Sequence, residues 1–125
     1  MNNEIKQDIL NVLKDTIKSV KESDSFALKE ISNHTVHDSS IFQDEDTISI
    51  AVVVYSLAEI FERVKYKQYK DWNIFYNVVT FNLKRAEENL GIDNVENYRD
   101  SIKHILDVID SLESNLKKYI SEVIQ

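Results

Sequence analysis

Apolar residues recur every three or four positions along most of this chain, the spacing of amphipathic helices rather than of half-buried strands. From about Asn3 to Lys21, the residues Ile5, Ile9, Val12, Leu13, Ile17 and Val20 form one face, and Lys6, Lys14, Lys18 and Lys21 line the polar side. Ser23-Asp24-Ser25 then supplies N-cap oxygens for a second, shorter helix. Its stripe of Ala27 and Ile31, with Leu28 beside it, continues at helical spacing into His34 and Asp38. A third helix is predicted after Asp44-Glu45-Asp46-Thr47, with Asp46 or Thr47 as its cap. The run Ile50-Ala51-Val52-Val53-Val54-Tyr55 has the composition of a buried strand, but the apolar pattern extends from Ile48 to Phe61 and on to Val64, too long for one. A helix apolar on nearly every side is expected to be the most enclosed.

Asp71 is the expected cap of a fourth helix, with Trp72, Phe75, Val79, Leu83, Ala86 and Leu90 on its face. Gly91 follows where a helix commonly ends in a left-handed residue, and Asp93 with Glu96 has the spacing of a capping box. The fifth helix has the clearest period. Val95, Tyr98, Ile102, Ile105, Ile109, Leu112, Leu116, Tyr119 and Val123 alternate three and four apart, a seam of the coiled-coil or bundle type. At 1.5 Å per residue this helix is about 45 Å long, against about 30 Å for a 20-residue helix. One end is therefore expected to overhang its neighbours or to pack on the short second helix, and a leftover apolar seam to invite a partner.

Composition agrees with this reading. Among 125 residues there is no proline and one glycine, too few turn residues for a β-rich fold. Hydrophobic residues make up 42% and charged residues 30%, as in a folded soluble chain rather than a disordered one. The expected fold is all-α: a single domain over 1–125, an up-and-down bundle of four long helices plus one short one. The absence of cysteine excludes disulfides, thiolate metal sites and cysteine nucleophiles. A net charge of −7 disfavours nonspecific binding to nucleic acid or anionic lipid over the whole surface. Met1-Asn2-Asn3-Glu4 lacks the regions of a signal peptide, and Ile48 to Phe61 is too short to span a bilayer. A cytoplasmic protein with no membrane association is expected.

Three segments carry candidate chemistry. His34, His37 and Asp38 lie where the second stripe turns polar, and no Lys or Arg occurs from Ile31 to Glu62. Imidazoles and carboxylates ligate divalent transition metals, and Glu30, His34 and His37 fall on neighbouring helical turns. The alternative is structural: His34 is buried and bonded to Asp38, and the histidines close the end of the second helix. The run Arg63 to Trp72 interleaves cations with aromatics, a composition that stacks single-stranded nucleic acid or, alternatively, snorkels at a helix end.

The third segment is Arg99-Asp100-Ser101-Ile102-Lys103-His104. It resembles the Arg-x4-6-His motif of HEPN domains, small helical bundles, often homodimeric, many of them metal-independent ribonucleases. The resemblance implies that Arg99 holds a scissile phosphate and His104 assists proton transfer, with RNA as the partner. On a regular helix these two residues lie about 140° apart, so sharing a site requires a bend or a second subunit.

No glycine-rich phosphate loop or nucleophile elbow is present. The leading expectation is a non-catalytic interaction or oligomerisation module, acting as a homo-oligomer or with a protein partner and requiring no cofactor. The alternatives are a HEPN-like ribonuclease or nucleotide-binding protein using Arg99 and His104, and a metal-binding bundle centred on His34 and His37.

Overall fold

A computed structural model gives the fold. It describes the backbone of residues 1–42, 44–63 and 71–124 and the side chains of 1–35, 44–63 and 71–114. Five helices follow one another: α1 (Asn3–Lys21), α2 (Ser25–Phe42), α3 (Glu45–Glu62), α4 (Trp72–Gly91) and α5 (Val95–Ile124). Among the described residues there is no strand, and no helix is long and apolar enough to cross a membrane.

The second helix is not short. It runs 18 residues, the same length as α3. The stripe changes from apolar to polar at His34, but no glycine or proline interrupts the backbone there. Polar residues inside the helix bond back to it: the Thr35 hydroxyl donates to the Ile31 carbonyl at 2.7 Å. Loss of an apolar face therefore did not mean loss of helix.

The helix ends explain the hairpins. Asn2 caps α1 by accepting from the Ile5 N–H. Asp24 caps α2 through the Ala27 N–H. Asp44, rather than Asp46 or Thr47, caps α3 by accepting from the N–H groups of both those residues. Asp71 stands at the head of α4 without a side-chain cap bond. Gly91 remains helical, and the left-handed residue is Asp93, at φ 61°. The N–H groups of Asp93 and Asn94 bond back to Leu90 and Asn89, which places the reversal two residues past the glycine. Asn94 then accepts from the Asn97 N–H, so it replaces Asp93 as the cap of α5. Ser23, at φ 52°, makes the equivalent turn between α1 and α2.

The helices close a ring in the order α1–α2–α3–α5–α4, with α1 also touching α3 across it. Lys6 near the start of α1 pairs with Asp93 after α4, and Lys29 near the start of α2 pairs with Glu62 at the end of α3. Asp46 and Arg99 join the starts of α3 and α5. Neighbours in sequence thus run in alternate directions, and α3 and α5 run side by side in parallel.

One core collects apolar residues from all five helices. From α3 come Ile50, Val53, Val54, Leu57, Ala58, Ile60 and Phe61. The α5 seam faces inward along its described length: Tyr98, Ile102, Ile105, Ile109 and Leu112 are all buried. Leu116, Tyr119 and Val123 continue it in sequence, but their side chains lie outside the described residues. Phe61 meets the edge of Trp72 at a centroid distance of 5.3 Å, which ties the end of α3 to the start of α4.

Enclosure of α3 is incomplete. In a ring each helix has an outer side, and α3 turns Ile48, Val52 and Tyr55 outward at 44, 46 and 56% exposure. Adjacent positions therefore differ sharply. Val53→Asp or Leu57→Asp places an unpaired charge in the core and is expected to cost about 3 kcal/mol or more. Val52→Asp is expected to stay within about 0.5 kcal/mol of the parent protein. Urea unfolding of the three variants checks this, and equal stability of all three would refute the placement of α3.

Candidate functional site

The cation-free stretch meets its counter-charge across the bundle. Asp46, on the first turn of α3, accepts two hydrogen bonds from Arg99 on the first turn of α5, from Nε at 2.9 Å and from a terminal nitrogen at 2.8 Å. This bidentate arrangement holds the guanidinium in one orientation. The Asp46 side chain is mostly buried, whereas Arg99 is half exposed. The hydrogen bond to Asp46, reinforced by its charge, raises the Arg99 pKa further above its already high value. Arg99 is thus committed to a structural ion pair within the chain.

Tyr98 lies beside this pair and is buried at 1% exposure. Its hydroxyl has no hydrogen-bond partner among the described residues. Burial is the main cause that raises its pKa far above the ordinary tyrosine range; the Asp46 charge adds to this and Arg99 opposes it.

Among the described residues Arg99 and His104 border different grooves. Arg99 borders the groove between α3 and α5, with Glu45, Asp46, Ser49, Lys103 and Leu106. His104 borders a groove of about 350 Å³ between α4 and α5, with Phe81, Asn82, Arg85, Asn97, Asp100 and Ser101. The arginine that shares a groove with His104 is Arg85. Among the described residues its guanidinium has no ion-pair or hydrogen-bond partner, while Arg63 pairs with Glu59 and Arg99 with Asp46. A guanidinium, an imidazole, two amides and a hydroxyl beside an exposed phenyl ring form a surface able to hold an oxyanion on an aromatic ligand. Asp100 opposes that charge from within the same groove. Sequence spacing gave no hint of this pairing, since Arg85 and His104 come from different helices. The same is true of Asp46 and Arg99, which lie 53 residues apart.

His34 does not take the buried position expected of it. It is exposed and borders a shallow groove between α1 and α2 with Asp8, Asp15, Glu30 and Thr35. The stripe from Ala27 and Ile31 rotates away from the core as it advances, and among the described side chains of α2 the buried ones are Leu28, Ser32 and Thr35. The side chains of His37 and Asp38 lie outside the described residues. Among the described residues no three His, Asp or Glu side chains come together to hold a metal ion. In the cation–aromatic segment, residues 64–70 also lie outside the described residues, and Trp72 at its end is a core residue.

Comparison of the chain with protein-family models, with curated proteins and with solved structures finds no match. The functional reading therefore rests on these residues alone.

Tyr98 gives a direct test of this corner. In the folded chain its phenol stays protonated at pH values where the unfolded chain releases the proton, above about pH 10. Its contribution to stability is therefore present below that pH and is lost as pH rises through the folded-state value. Tyr98→Phe is expected to show a smaller alkaline loss than the parent protein. At neutral pH it is expected to gain about 1 kcal/mol by removing an unbonded buried hydroxyl. Urea unfolding between pH 7 and 11 checks both. A loss at neutral pH would mean that the hydroxyl is bonded.

Proposed function

We propose that this chain is a non-catalytic helical interaction module. The observation that carries the reading is the outer face of α3. Ile48, Val52 and Tyr55 stand at i, i+4 and i+7 and form one exposed apolar line on the helix whose inner face builds the core. Single exposed apolar residues are ordinary, but a periodic line on a rigid element is a surface that gains from being covered. On α4, Ile74 and Phe81 are also exposed, with the partly buried Val78 between them, and this second line runs into the polar groove of Arg85 and His104. The α5 seam supports the module differently from its expected role. Its described part stabilises the bundle itself, and interaction falls to the outer faces of α3 and α4.

A second reading, an anion- or RNA-binding bundle of HEPN-like kind, draws on the groove that places Arg85 beside His104. With Arg99 held by Asp46, that reading transfers the phosphate contact to Arg85 or completes the site with a second subunit. Binding of a transition metal by His34 with His37 is a third reading; it draws only on the exposure of His34 among acidic side chains.

A photoreactive residue placed at position 52 or 55, in the chain expressed in its native host, tests the leading reading. Discrete adducts are expected from both positions and none from Lys14, which is exposed on α1. Absence of adducts at 52 and 55, or equal adducts at Lys14, would remove the interaction reading. RNA cleavage by the purified chain that is lost in His104→Ala and Arg85→Ala would establish the second reading in its place.

A further inference from the structure

The groove between α4 and α5 has a buried polar floor and a charged rim. Asn82 and Ser101, 8% and 3% exposed, form the floor. The Asn82 amide nitrogen donates to the Val78 carbonyl at 2.9 Å. Its carbonyl oxygen is left as an acceptor with no donor among the described residues. The Ser101 hydroxyl likewise has no hydrogen-bond partner among them. Polar side chains at buried positions are mostly bonded, so two with unmet groups on one floor suit the polar atoms of a ligand. Arg85, Asp100 and His104 stand exposed at the rim, beside the Phe81 ring, which is 62% exposed.

Charge selects the occupant. Arg85 and Asp100 bring one charge of each sign to the groove, and neither pairs with the other or with any other described residue. A phosphate monoester, with about 1.5 to 2 negative charges at neutral pH, would face Asp100 with one guanidinium to hold it. The chain's net charge of −7 opposes it further. A purely cationic ligand would face Arg85. The complement of one fixed charge of each sign is a zwitterion. The guanidinium fork matches both oxygens of a carboxylate. An ammonium has three N–H donors, and the groove offers three kinds of acceptor: the Asp100 carboxylate, the Asn82 carbonyl oxygen and the Ser101 hydroxyl oxygen. His104 adds a ring N–H donor. The Phe81 ring offers an apolar face, on which a second aromatic ring packs favourably. At about 350 Å³ the groove is of a size for one small molecule.

We infer that the α4–α5 groove binds a free aromatic α-amino acid as its zwitterion. Arg85 takes the carboxylate, Asp100 with the Asn82 and Ser101 oxygens takes the ammonium, and Phe81 packs on the side chain. This occupant differs from that of the anion reading: Asp100, which opposes an anion, becomes a contact. The α3 face plays no part in the site, so the interaction reading and this site fail independently.

Titration of the purified full chain with L-phenylalanine, followed by amide NMR shifts, tests the site. Saturable shifts are expected at millimolar concentration, centred on Asn82, Arg85, Asp100 and Ser101. Phenethylamine and hydrocinnamate each lack one of the two charges, and each is expected to bind about tenfold more weakly. Arg85→Gln and Asp100→Asn change exposed side chains, so the helical circular dichroism and melting of the parent protein are expected to persist. Each is expected to weaken L-phenylalanine binding about tenfold, whereas Lys14→Gln on α1 leaves it unchanged. The proposal is overturned by an absence of saturable shifts, by equal affinity for either truncated ligand, or by unchanged binding in either groove variant. Tighter binding of adenosine monophosphate than of L-phenylalanine would also overturn it and return the groove to the anion reading.

Discussion

The need to bury α3 governs this bundle. No charged residue lies between Asp46 and Glu59, and α3 is too apolar for any surface position to suit it completely. The ring order answers that need by placing α2 on one side of α3 and α5 on the other, with α1 reaching it across the ring. Burying a Val, Leu, Ile or Phe side chain contributes about 1.5–3 kcal/mol. The inward residues of α3 therefore account for a large share of what holds the fold. Five helices in a ring leave each one an outer side, and on α3 that side remains apolar.

Electrostatics then fixes the register at one end. Asp44 caps α3, Asp46 on its first turn faces Arg99, and the fork of the guanidinium matches both carboxylate oxygens. The pair joins the first turns of α3 and α5, and from the latter Tyr98 enters the core. It also turns Arg99 toward α3 and leaves His104 toward α4. α5 is thus flanked by two grooves, one toward α3 that Arg99 borders and one toward α4 that His104 borders.

Much of the fold was legible in the sequence because its signals are local. The 3.6-residue period gave all five helices, and the boundaries of α1 and α4 follow their stripes. The errors arose where a local rule had a competitor. Gly91 is the residue most suited to a left-handed conformation, yet the reversal bonds closed at Asp93. The polar turn in the α2 stripe at His34 resembled a helix end, but nothing in the backbone there opposes helix. His34 itself follows Ala27 and Ile31 at ideal spacing, while the buried line of α2 runs through Leu28, Ser32 and Thr35. The candidate sites were less legible, because Asp46 with Arg99, and Arg85 with His104, are pairs made by packing. The outward line of Ile48, Val52 and Tyr55 was hidden for the opposite reason. In a run apolar on every side, sequence alone does not mark which residues the fold leaves uncovered.

If α3 is the most firmly held element of the bundle, the interaction proposed for its outer face has a rigid support. Native-state hydrogen exchange along α3 tests this most directly. The amides of Val53, Val54 and Leu57 are expected to open only with global unfolding, at the free energy obtained from urea denaturation. Exchange of these amides several kcal/mol below that value, while α1, α4 and α5 remain protected, would show that α3 is not the most firmly held element.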